Sequence, residues 1–365
     1  MAGIRTQGAV ARRAGDPASL ETVVVDDPGP GEVRLRLLTA GVCHTDLHAC
    51  NGGMGDDFPY LLGHEGCGVV ESVGEGVDRA RIGERVMIFW RAPCGRCRFC
   101  KRGWPERCAD VMTPGPRLRD ERGAVLTPVL RSGTFLTHTV VHSSQAIPVP
   151  PEVPDEVACL IGCGVATGVG AAVRTAPVRA GDRVAVLGCG TVGLSVVQGA
   201  RLAGASQVIA VDLNPEKLEL AAAFGATDSV LPGRAGVAAR VRDLSGWGVD
   251  CCFDVVGRPE TLSEAIACCD ENGTAVLVGV PPPRVDLVLP MARLWDGRRS
   301  IKVSWYGNTL GTRDFPLLCA WYRQGLLKLD ELVSRRIELD QLPEAFADME
   351  KGVGLRSVIV FGHGG

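Results

Sequence analysis

The stretch DRVAVLGCGTVGLSVVQGARLAGASQVIAVD, residues 182–212, decides the fold of the central part of the chain. Its apolar runs predict a strand over Asp182–Gly188, a helix over Val192–Gly204 and a second strand over Gln207–Val211. Further apolar runs that alternate with helical stretches follow at Val249–Val255 and Gly273–Val280. This alternation predicts an α/β architecture with a parallel, doubly wound sheet.

The turn between the first strand and the helix has the pattern G-x-G-x-x-G, formed by Gly188, Gly190 and Gly193. Such glycines permit a tight turn, a close approach of a pyrophosphate to the backbone, and close packing of helix on strand. Asp212 ends the next strand, where a carboxylate accepts hydrogen bonds from a ribose and repels a 2′-phosphate. The pattern therefore predicts NAD rather than NADP. An ordinary strand–helix turn and an FAD site are the alternatives.

The sequence before residue 150 and after residue 307 lacks this regular alternation of strands and helices. Residues 1–150 hold short β-type runs between turn signals, such as Glu32–Leu38 and Arg85–Phe89, which predict a mostly antiparallel, barrel-like domain. After about residue 307, helices are predicted over Phe315–Gly325 and Leu342–Gly352, and a last strand over Ser357–Phe361. The chain thus combines a β-barrel with a doubly wound sheet.

Composition narrows the range of partners. The 365 residues are 46% hydrophobic and 22% charged, with a net charge of −3 and no block of lysine and arginine, so neither nucleic acid nor an anionic membrane is expected as a partner. Glycines break the longest apolar run, Val184–Val197, so no membrane span is predicted. The start MAGIRTQGAVARR lacks a secretory pattern, which favours a cytoplasmic location. In that compartment fifteen cysteines are expected to be metal ligands or free thiols.

Four cysteines lie within a run of fifteen residues, at Cys94, Cys97, Cys100 and Cys108. Short loops between thiolates can surround one tetrahedral zinc ion, and four cysteines leave no position for water. The spacing therefore predicts a structural zinc site. A ferredoxin-type iron–sulfur cluster and unliganded thiols are the alternatives.

Three more ligand-type residues, Cys43, His64 and Cys163, are dispersed, and each lies among glycines or polar residues. Their spacing alone does not group them. From the residues alone, Cys163 also fits a buried apolar thiol, and His64 a histidine whose hydrogen bonds are satisfied within the fold.

Six motifs occur in the order typical of one family: GVCHTD, LLGHEG, CGRC-x2-C, IGCGV-x-TG, GCGTVG and VGVPPP. Over almost its whole length the sequence resembles the zinc-dependent medium-chain alcohol dehydrogenases. The resemblance implies a GroES-like catalytic domain over residues 1–164 and 308–365, with a structural-zinc lobe at 91–110. It implies a Rossmann NAD-binding domain over residues 165–307.

The resemblance also implies a metal site and a proton path. Catalytic zinc would be held by Cys43, His64 and Cys163, with Asp46 orienting His64 and Glu65 close to the metal. Thr45 and His48 would carry the proton away from the substrate. Trp90 would form a wall of the substrate pocket.

On the cofactor side, the resemblance implies two zinc ions per subunit and one NAD. His44 and Arg356 would contact the pyrophosphate, and Lys217 the adenosine ribose. Thr167 and Val192 would lie behind the nicotinamide ring.

The implied reaction is hydride transfer between NAD and an alcohol, an aldehyde or a thiol adduct. Trp90–Cys94, Gly257–Thr261, Ser304–Gly307 and Arg313–Pro316 resemble the branch that oxidises the formaldehyde adduct of mycothiol. Pairing of edge strands near Ile301–Tyr306 would give a homodimer or a homotetramer. The alternatives are a biosynthetic member that reduces a specialised aldehyde or a conjugated double bond with NAD(P)H, a non-enzymatic nucleotide sensor, and an enzyme that never releases its cofactor.

Overall fold

The computed structural model describes residues 3–234 and 236–362. Two units make up the chain: the first joins residues 1–163 to residues 310–365, and the second is Gly164–Thr309. Each unit has a hydrophobic core of its own.

The regular elements, in chain order, begin and end as follows. The strands are β1 (Ile4–Ala11), β2 (Ser19–Val25), β3 (Glu32–Gly41), β4 (Tyr60–Leu61), β5 (Glu65–Val73), β6 (Arg85–Ile88), β7 (Leu118–Asp120), β8 (Thr127–Pro128), β9 (His138–His142), β10 (Ala146–Pro148), β11 (Arg183–Leu187), β12 (Gln207–Val211), β13 (Asp228–Val230), β14 (Val249–Asp254), β15 (Cys269–Leu277), β16 (Ser300–Val303), β17 (Val333–Ile337) and β18 (Arg356–Val360). The helices are α1 (His44–Cys50), α2 (Arg98–Lys101), α3 (Asp155–Leu160), α4 (Ala166–Gly170), α5 (Thr191–Leu202), α6 (Pro215–Ala223), α7 (Val237–Ser245), α8 (Pro259–Cys268), α9 (Met291–Trp295), α10 (Gly311–Arg323) and α11 (Leu342–Glu350).

Two mostly antiparallel sheets form the first unit, in the strand orders β7-β2-β1-β4-β8 and β10-β6-β5-β3-β18-β17, with β9 also paired to β3. The final strand β18 pairs with β3, so that Ile359 faces Ala40, and the C-terminal segment completes a sheet formed by strands of the N-terminal segment. Apolar side chains such as Leu35, Phe135 and Ile359 are fully buried between the sheets. The predicted barrel-like fold of this unit is confirmed.

One parallel sheet with the strand order β13-β12-β11-β14-β15-β16 forms the second unit. Its inner strands are almost wholly buried and rich in valine, isoleucine and alanine, as expected for strands covered by helices on both faces. Leu187, at the end of β11, pairs with Val211 of β12 and with Asp254 of β14, so these strands end at one edge of the sheet. The predicted doubly wound sheet is confirmed, and this edge is where a nucleotide binds in such folds.

Helix α10 begins earlier than the sequence predicts. The sequence predicts the helix from Phe315, whereas the structure starts it at Gly311 and keeps Pro316 inside it. Asp314 explains the difference, because its Oδ2 accepts a hydrogen bond of 2.8 Å from the N–H of Leu310 at the helix N-terminus. An acidic residue just before the proline was the signal that the prediction missed.

The continuous helical segment Asp155–Thr175 is apolar, with a mean hydropathy of 1.8 over its most apolar window. By length and composition alone it is the candidate membrane span in the part of the chain that the structure describes. However, 83% of that window is buried inside the protein, as in a core helix. Glycines made this segment hard to predict as one helix from the sequence.

Candidate metal and cofactor sites

Four ligand-type side chains converge in the first unit. The ligand atoms of Cys43, His64, Glu65 and Cys163 all lie within 4.8 Å of one another, and all four residues are buried. Strand pairing brings the first three together, because Gly41 at the end of β3 faces Glu65 at the start of β5. Cys163 comes from a π-helical turn at Ile161–Val165, a feature often found at functional sites. The structure thus groups residues that sequence spacing left apart.

Asp46 fixes the orientation of His64. Its Oδ1 lies 3.0 Å from Nδ1 of His64 and accepts a hydrogen bond of 2.9 Å from the N–H of Gly63. The other ring nitrogen, Nε2, is buried and has no hydrogen-bond partner among the described residues. A carboxylate on one imidazole nitrogen leaves the other as a metal ligand, so this orphaned Nε2 fits a metal ion.

The two thiols of this cluster shift each other's pKa in opposite directions. The hydrogen bond from the Cys163 thiol, opposed by burial and helped by the charge of Arg356, lowers the pKa of Cys43 well below its ordinary value. The same contact raises the pKa of Cys163. The thiolate is the form that binds metal, and a divalent cation would deprotonate the second thiol as well.

Arg356 lies beside this cluster, in contact with Glu65. Its Nη2 is 3.4 Å from Oε1 of Glu65, and its Nη1 donates a hydrogen bond of 2.7 Å to the carbonyl oxygen of Val42. Burial raises the pKa of Glu65 to about 7, although the charge of Arg356 opposes the shift. This pair was not predicted, because the two residues lie near opposite ends of the chain. The proposed pyrophosphate contact of Arg356 stays a prediction.

The donor set fits a catalytic zinc ion. Two sulfurs and one imidazole are the ligands of a Cys₂His site, which keeps a fourth position open for substrate or water. Glu65 adds a carboxylate oxygen within 4.8 Å of these three ligand atoms. A glycine at position 41 makes room for it, because a Cβ there would lie 2.0 Å from Oε2 of Glu65.

The second cysteine cluster has the dimensions of a tetrahedral site. The Sγ atoms of Cys97 and Cys100 are 3.6 Å apart, those of Cys97 and Cys108 are 3.8 Å apart, and those of Cys108 and Cys94 are 3.6 Å apart. A tetrahedron with Zn–S bonds of about 2.3 Å has edges of about 3.8 Å. Disulfide sulfurs would be about 2.05 Å apart. The spacing leaves room for one ion and none for a cluster of several iron atoms.

Backbone N–H groups donate hydrogen bonds to the sulfur atoms of this cluster. The N–H of Cys94 donates to Sγ of Cys108, and the N–H of Cys97 donates to Sγ of Cys94, both at 3.3 Å. Hydrogen bonds from backbone N–H groups, that of Cys100 first, lower the pKa of Cys97 to about 6. Cys97 therefore loses its proton readily, whereas burial raises the pKa of Cys100 to about 12, so that a bound cation would be needed to deprotonate that thiol.

The glycine-rich turn of the second unit has the shape that a dinucleotide needs. A Cβ at Gly193 would lie 1.8 Å from the carbonyl oxygen of Gly188, so only glycine lets helix α5 pack here. A Cβ at Gly190 would meet nothing within 4 Å, which is the open space for a pyrophosphate. The buried hydroxyl of Thr191, the first residue of α5, has no hydrogen-bond partner in the described chain and fits a phosphate oxygen. Sequence analysis missed Thr191, although it lies inside the motif.

Asp212 lies at the end of β12 and binds the same turn. Its Oδ2 accepts a hydrogen bond of 2.7 Å from the N–H of Cys189, and its Oδ1 accepts one of 2.9 Å from the N–H of Asn214. Lys217 lies half-buried in the first turn of α6. The carboxylate thus holds the glycine-rich turn in addition to its predicted role toward a ribose.

The other predicted residues lie on helices, except for Trp90. His44, Thr45 and His48 lie on α1, where His44 is exposed and the other two are half-buried. Trp90 is 7% exposed. In the second unit, α4 and α5 approach closely, because a Cβ at Gly168 would be 2.3 Å from the carbonyl oxygen of Val192. Thr167 therefore lies next to that contact.

Comparisons with known proteins agree with this arrangement. The family described as "Zinc-binding dehydrogenase" matches residues 191–324, and "Alcohol dehydrogenase GroES-like domain" matches residues 29–151. An S-(hydroxymethyl)glutathione dehydrogenase of Saccharomyces cerevisiae is 36% identical over 377 aligned residues, which cover 98% of this chain and 96% of that protein. The chain belongs to the zinc-dependent alcohol dehydrogenase family.

Solved structures support the same fold for this dehydrogenase. A zinc-binding alcohol dehydrogenase domain protein from Burkholderia ambifaria has a TM-score of 0.92 and 33% identity, covering 99% of this chain and all of that one. A protein from E. coli CFT073 described as a short chain alcohol dehydrogenase, in complex with NADH, has a TM-score of 0.84 and 26% identity, covering 98% of this chain and all of that one. The predicted family, fold class and cofactor types, zinc and NAD, are confirmed.

Replacing Asp212 with alanine is expected to shift the cofactor preference of the dehydrogenase toward NADP. Rates with both cofactors should fall, because the N–H groups of Cys189 and Asn214 lose their acceptor. The ratio of kcat/KM with NADP to that with NAD should rise at least about tenfold, since a charged acceptor for ribose and a repulsive charge are both lost. Steady-state kinetics with each cofactor measure the ratio. Asp243→Ala, an exposed acid on α7, is the control, and an equal ratio in both variants would contradict the assignment.

Proposed function

We propose that this dehydrogenase oxidises the hydroxymethyl adduct of formaldehyde with a low-molecular-weight thiol. The balanced reaction is R–S–CH2OH + NAD⁺ → R–S–CHO + NADH + H⁺. The observation that carries the proposal is the buried group of Cys43, His64 and Cys163 beside Glu65, with an orphaned imidazole nitrogen. The full-length relative named for the glutathione adduct supports this class of substrate.

The proposal assigns one zinc ion to Cys43, His64 and Cys163 and a second to the four cysteines of the lobe. Cys43, His64 and Cys163 would hold the first ion, which would supply a Lewis acid next to the oxygen of the substrate. Asp46 keeps the His64 ring in position, as a carboxylate on a ligating histidine does in other metal sites. Glu65 and Arg356 form a buried ion pair next to these ligands. The two charges contribute to the electrostatic potential at the ligand atoms.

Helix α1 supplies the path for the proton. Thr45 and His48 are three residues apart on this helix, so their side chains lie on the same face. His48 packs closely on Gly53, where a Cβ would be 2.2 Å from its Cε1. We propose that the hydroxyl of Thr45 accepts the proton released from the substrate and that the imidazole of His48 then accepts it from this side of the site. An imidazole suits this role because it accepts protons near neutral pH.

Replacing His48 with glutamine is expected to slow alcohol oxidation about tenfold at low to neutral pH, since an amide cannot accept the proton. The difference should shrink at high pH, where hydroxide takes over the role of the base. The pH profiles of kcat for both proteins measure this. His138→Gln changes a half-buried histidine of β9 and should leave the profile unchanged. Parallel profiles for wild type and His48→Gln would remove His48 from the path.

We further propose that the protein is a cytoplasmic homodimer. The edge strand β16 exposes apolar side chains, with Ile301 exposed by 37% and Val303 by 61%. Unpaired edge strands with apolar side chains are pairing surfaces, so a second copy of the chain would cover them. Light scattering would give twice the mass of one chain for a dimer and four times that mass for a tetramer.

The proposed function is tested by the rate of NADH formation with different substrates. Formaldehyde with mycothiol, formaldehyde with glutathione, formaldehyde alone and simple primary alcohols are compared on the zinc-loaded enzyme. The expected result is a kcat/KM for a thiol adduct that exceeds the value for simple alcohols. The branch resemblance favours mycothiol as that thiol, whereas the relative from yeast favours glutathione. Equal or higher rates with simple alcohols would overturn the thiol-adduct substrate.

A further inference from the structure

Two glycines follow the helix that carries the proposed proton path. Helix α1 ends in a Schellman motif, in which the N–H of Gly52 donates to the carbonyl oxygen of Ala49 at 3.1 Å and the N–H of Gly53 donates to that of His48 at 2.9 Å. In this motif the residue at the position of Gly53 often packs its side chain against the residue at the position of His48. The end of the helix thus brings residue 53 onto the side chain of His48.

The two glycines meet different demands. The φ angle of Gly52 is +77°, in the left-handed region that this helix end requires and that glycine adopts easily. The φ angle of Gly53 lies outside that region, so its backbone would accept an alanine. Its constraint is space, because a Cβ at Gly53 would lie 2.2 Å from Cε1, 2.3 Å from Nε2 and 2.5 Å from Cδ2 of His48. The imidazole of His48 therefore occupies the volume that a side chain at position 53 would need.

Packing, rather than hydrogen bonding, holds the imidazole of His48. Neither of its ring nitrogens has a hydrogen-bond partner within residues 3–234 and 236–362. The ring of His64, by contrast, has Oδ1 of Asp46 at 3.0 Å. A half-buried ring without a hydrogen bond moves to another rotamer at small cost when a neighbouring atom displaces it. The close approach to Gly53 is thus the contact that determines where the ring of His48 lies.

We propose that Gly53 is a positioning residue for His48, because the missing side chain lets the imidazole take the orientation in which it accepts the proton. The inference rests on the proposed function, in which the proton moves from the hydroxyl of Thr45 to a ring nitrogen of His48. From there it passes to water, since the ring is only half-buried. A side chain at position 53 would turn the ring to another rotamer and misalign the two groups that exchange the proton.

The test replaces Gly53 with alanine. The clash falls on the end of a side chain and not on backbone atoms, so the ring should move while the fold stays intact. With the zinc-loaded enzyme at neutral pH, kcat should fall about three- to tenfold, because a displaced base accepts the proton less efficiently. Ethanol and formaldehyde with glutathione are the two substrates. Gly233→Ala is the matched control, since a Cβ there meets nothing within 4 Å and its φ angle is not left-handed either.

A double variant separates positioning from general damage. If Gly53 acts through His48, Gly53→Ala should lower kcat no further in a protein that already carries His48→Gln. Damage to the helix end would instead lower kcat by the same factor in both backgrounds, and that result would overturn the inference. Thermal unfolding of the variants checks that the helix end stays folded.

The position of the ring is measured independently of turnover by nuclear magnetic resonance. The protein is labelled with carbon-13 at Cε1 of its six histidines, and the resonance that disappears in His48→Gln belongs to His48. This resonance should shift in Gly53→Ala and keep its place in Gly233→Ala. An unshifted resonance in Gly53→Ala would overturn the inference. A shifted resonance with wild-type kcat in both Gly53→Ala and His48→Gln would instead overturn the proton path of the proposed function.

Discussion

Replacing Cys43 with alanine is expected to abolish NAD-linked oxidation and to remove one zinc ion from each chain. Cys43 is the thiol of the cluster whose pKa is lowered, so it supplies the thiolate of the site. A Lewis acid contributes several kcal/mol to the stabilisation of developing charge, and each 1.36 kcal/mol is a factor of ten in rate. The rate should therefore fall by at least about a thousandfold. Initial rates and elemental analysis of the purified protein measure the two effects.

Cys50 provides the control on the same helix. Its thiol is 3% exposed, and burial raises its pKa to about 12, so it is an inert core thiol. Cys50→Ala should keep the full metal content and the wild-type kcat, with a modest loss of stability from the small cavity. If Cys43→Ala retained full activity and both ions, the assignment of the catalytic metal to this cluster would be wrong. Equal losses in both variants would point to damage of α1 rather than loss of a ligand.

The two metal clusters differ in how far the sequence alone predicts them. Cys94, Cys97, Cys100 and Cys108 lie in one short segment, so spacing alone predicts a shared ion. Cys43, His64 and Cys163 come from separate elements, and only the pairing of β3 with β5 and the path of a helix bring them together. Without the family resemblance, nothing in the sequence would have grouped these three residues.

Contacts over long sequence distances were the hardest to predict. Glu65 and Arg356 are in contact because strand β18 pairs with strand β3. No local sequence pattern predicts that these two strands pair. By contrast, the glycines of the dinucleotide turn are predictable from a local motif: Gly188 has a positive φ, a Cβ at Gly193 would clash with the carbonyl oxygen of Gly188, and Gly190 leaves open space for a pyrophosphate.

We expect the lobe that carries the second cluster to depend on a bound metal ion for its stability. Of its residues from 94 to 110, Cys108 alone is buried, and Trp104 is 43% exposed. A segment with so few buried side chains gains little from the hydrophobic effect. Binding of structural zinc is worth roughly 10–16 kcal/mol in zinc-finger peptides, which is ample to hold such a segment.

Replacing Cys108 with serine is therefore expected to remove the second zinc ion and to unfold this lobe locally. The Sγ of Cys108 contacts those of both Cys94 and Cys97, so its loss opens the tetrahedron. The cations Arg96, Arg98, Lys101 and Arg102 lie on the surface of the lobe next to its thiols, and trypsin should cut there rapidly in the variant. Elemental analysis, limited trypsin digestion and thermal unfolding measure the result.

The matched control for Cys108→Ser is Cys319→Ser, which changes a buried thiol of α10 outside both clusters. That variant should keep two zinc ions and resist trypsin in the lobe, even if the polar hydroxyl lowers its melting temperature. Because the metal of the lobe contacts no reacting group, Cys108→Ser should retain part of its activity where Cys43→Ala retains none. A Cys108→Ser protein with both ions and a protected lobe would show that the four thiols hold no metal, and that the lobe is stabilised by its backbone hydrogen bonds alone.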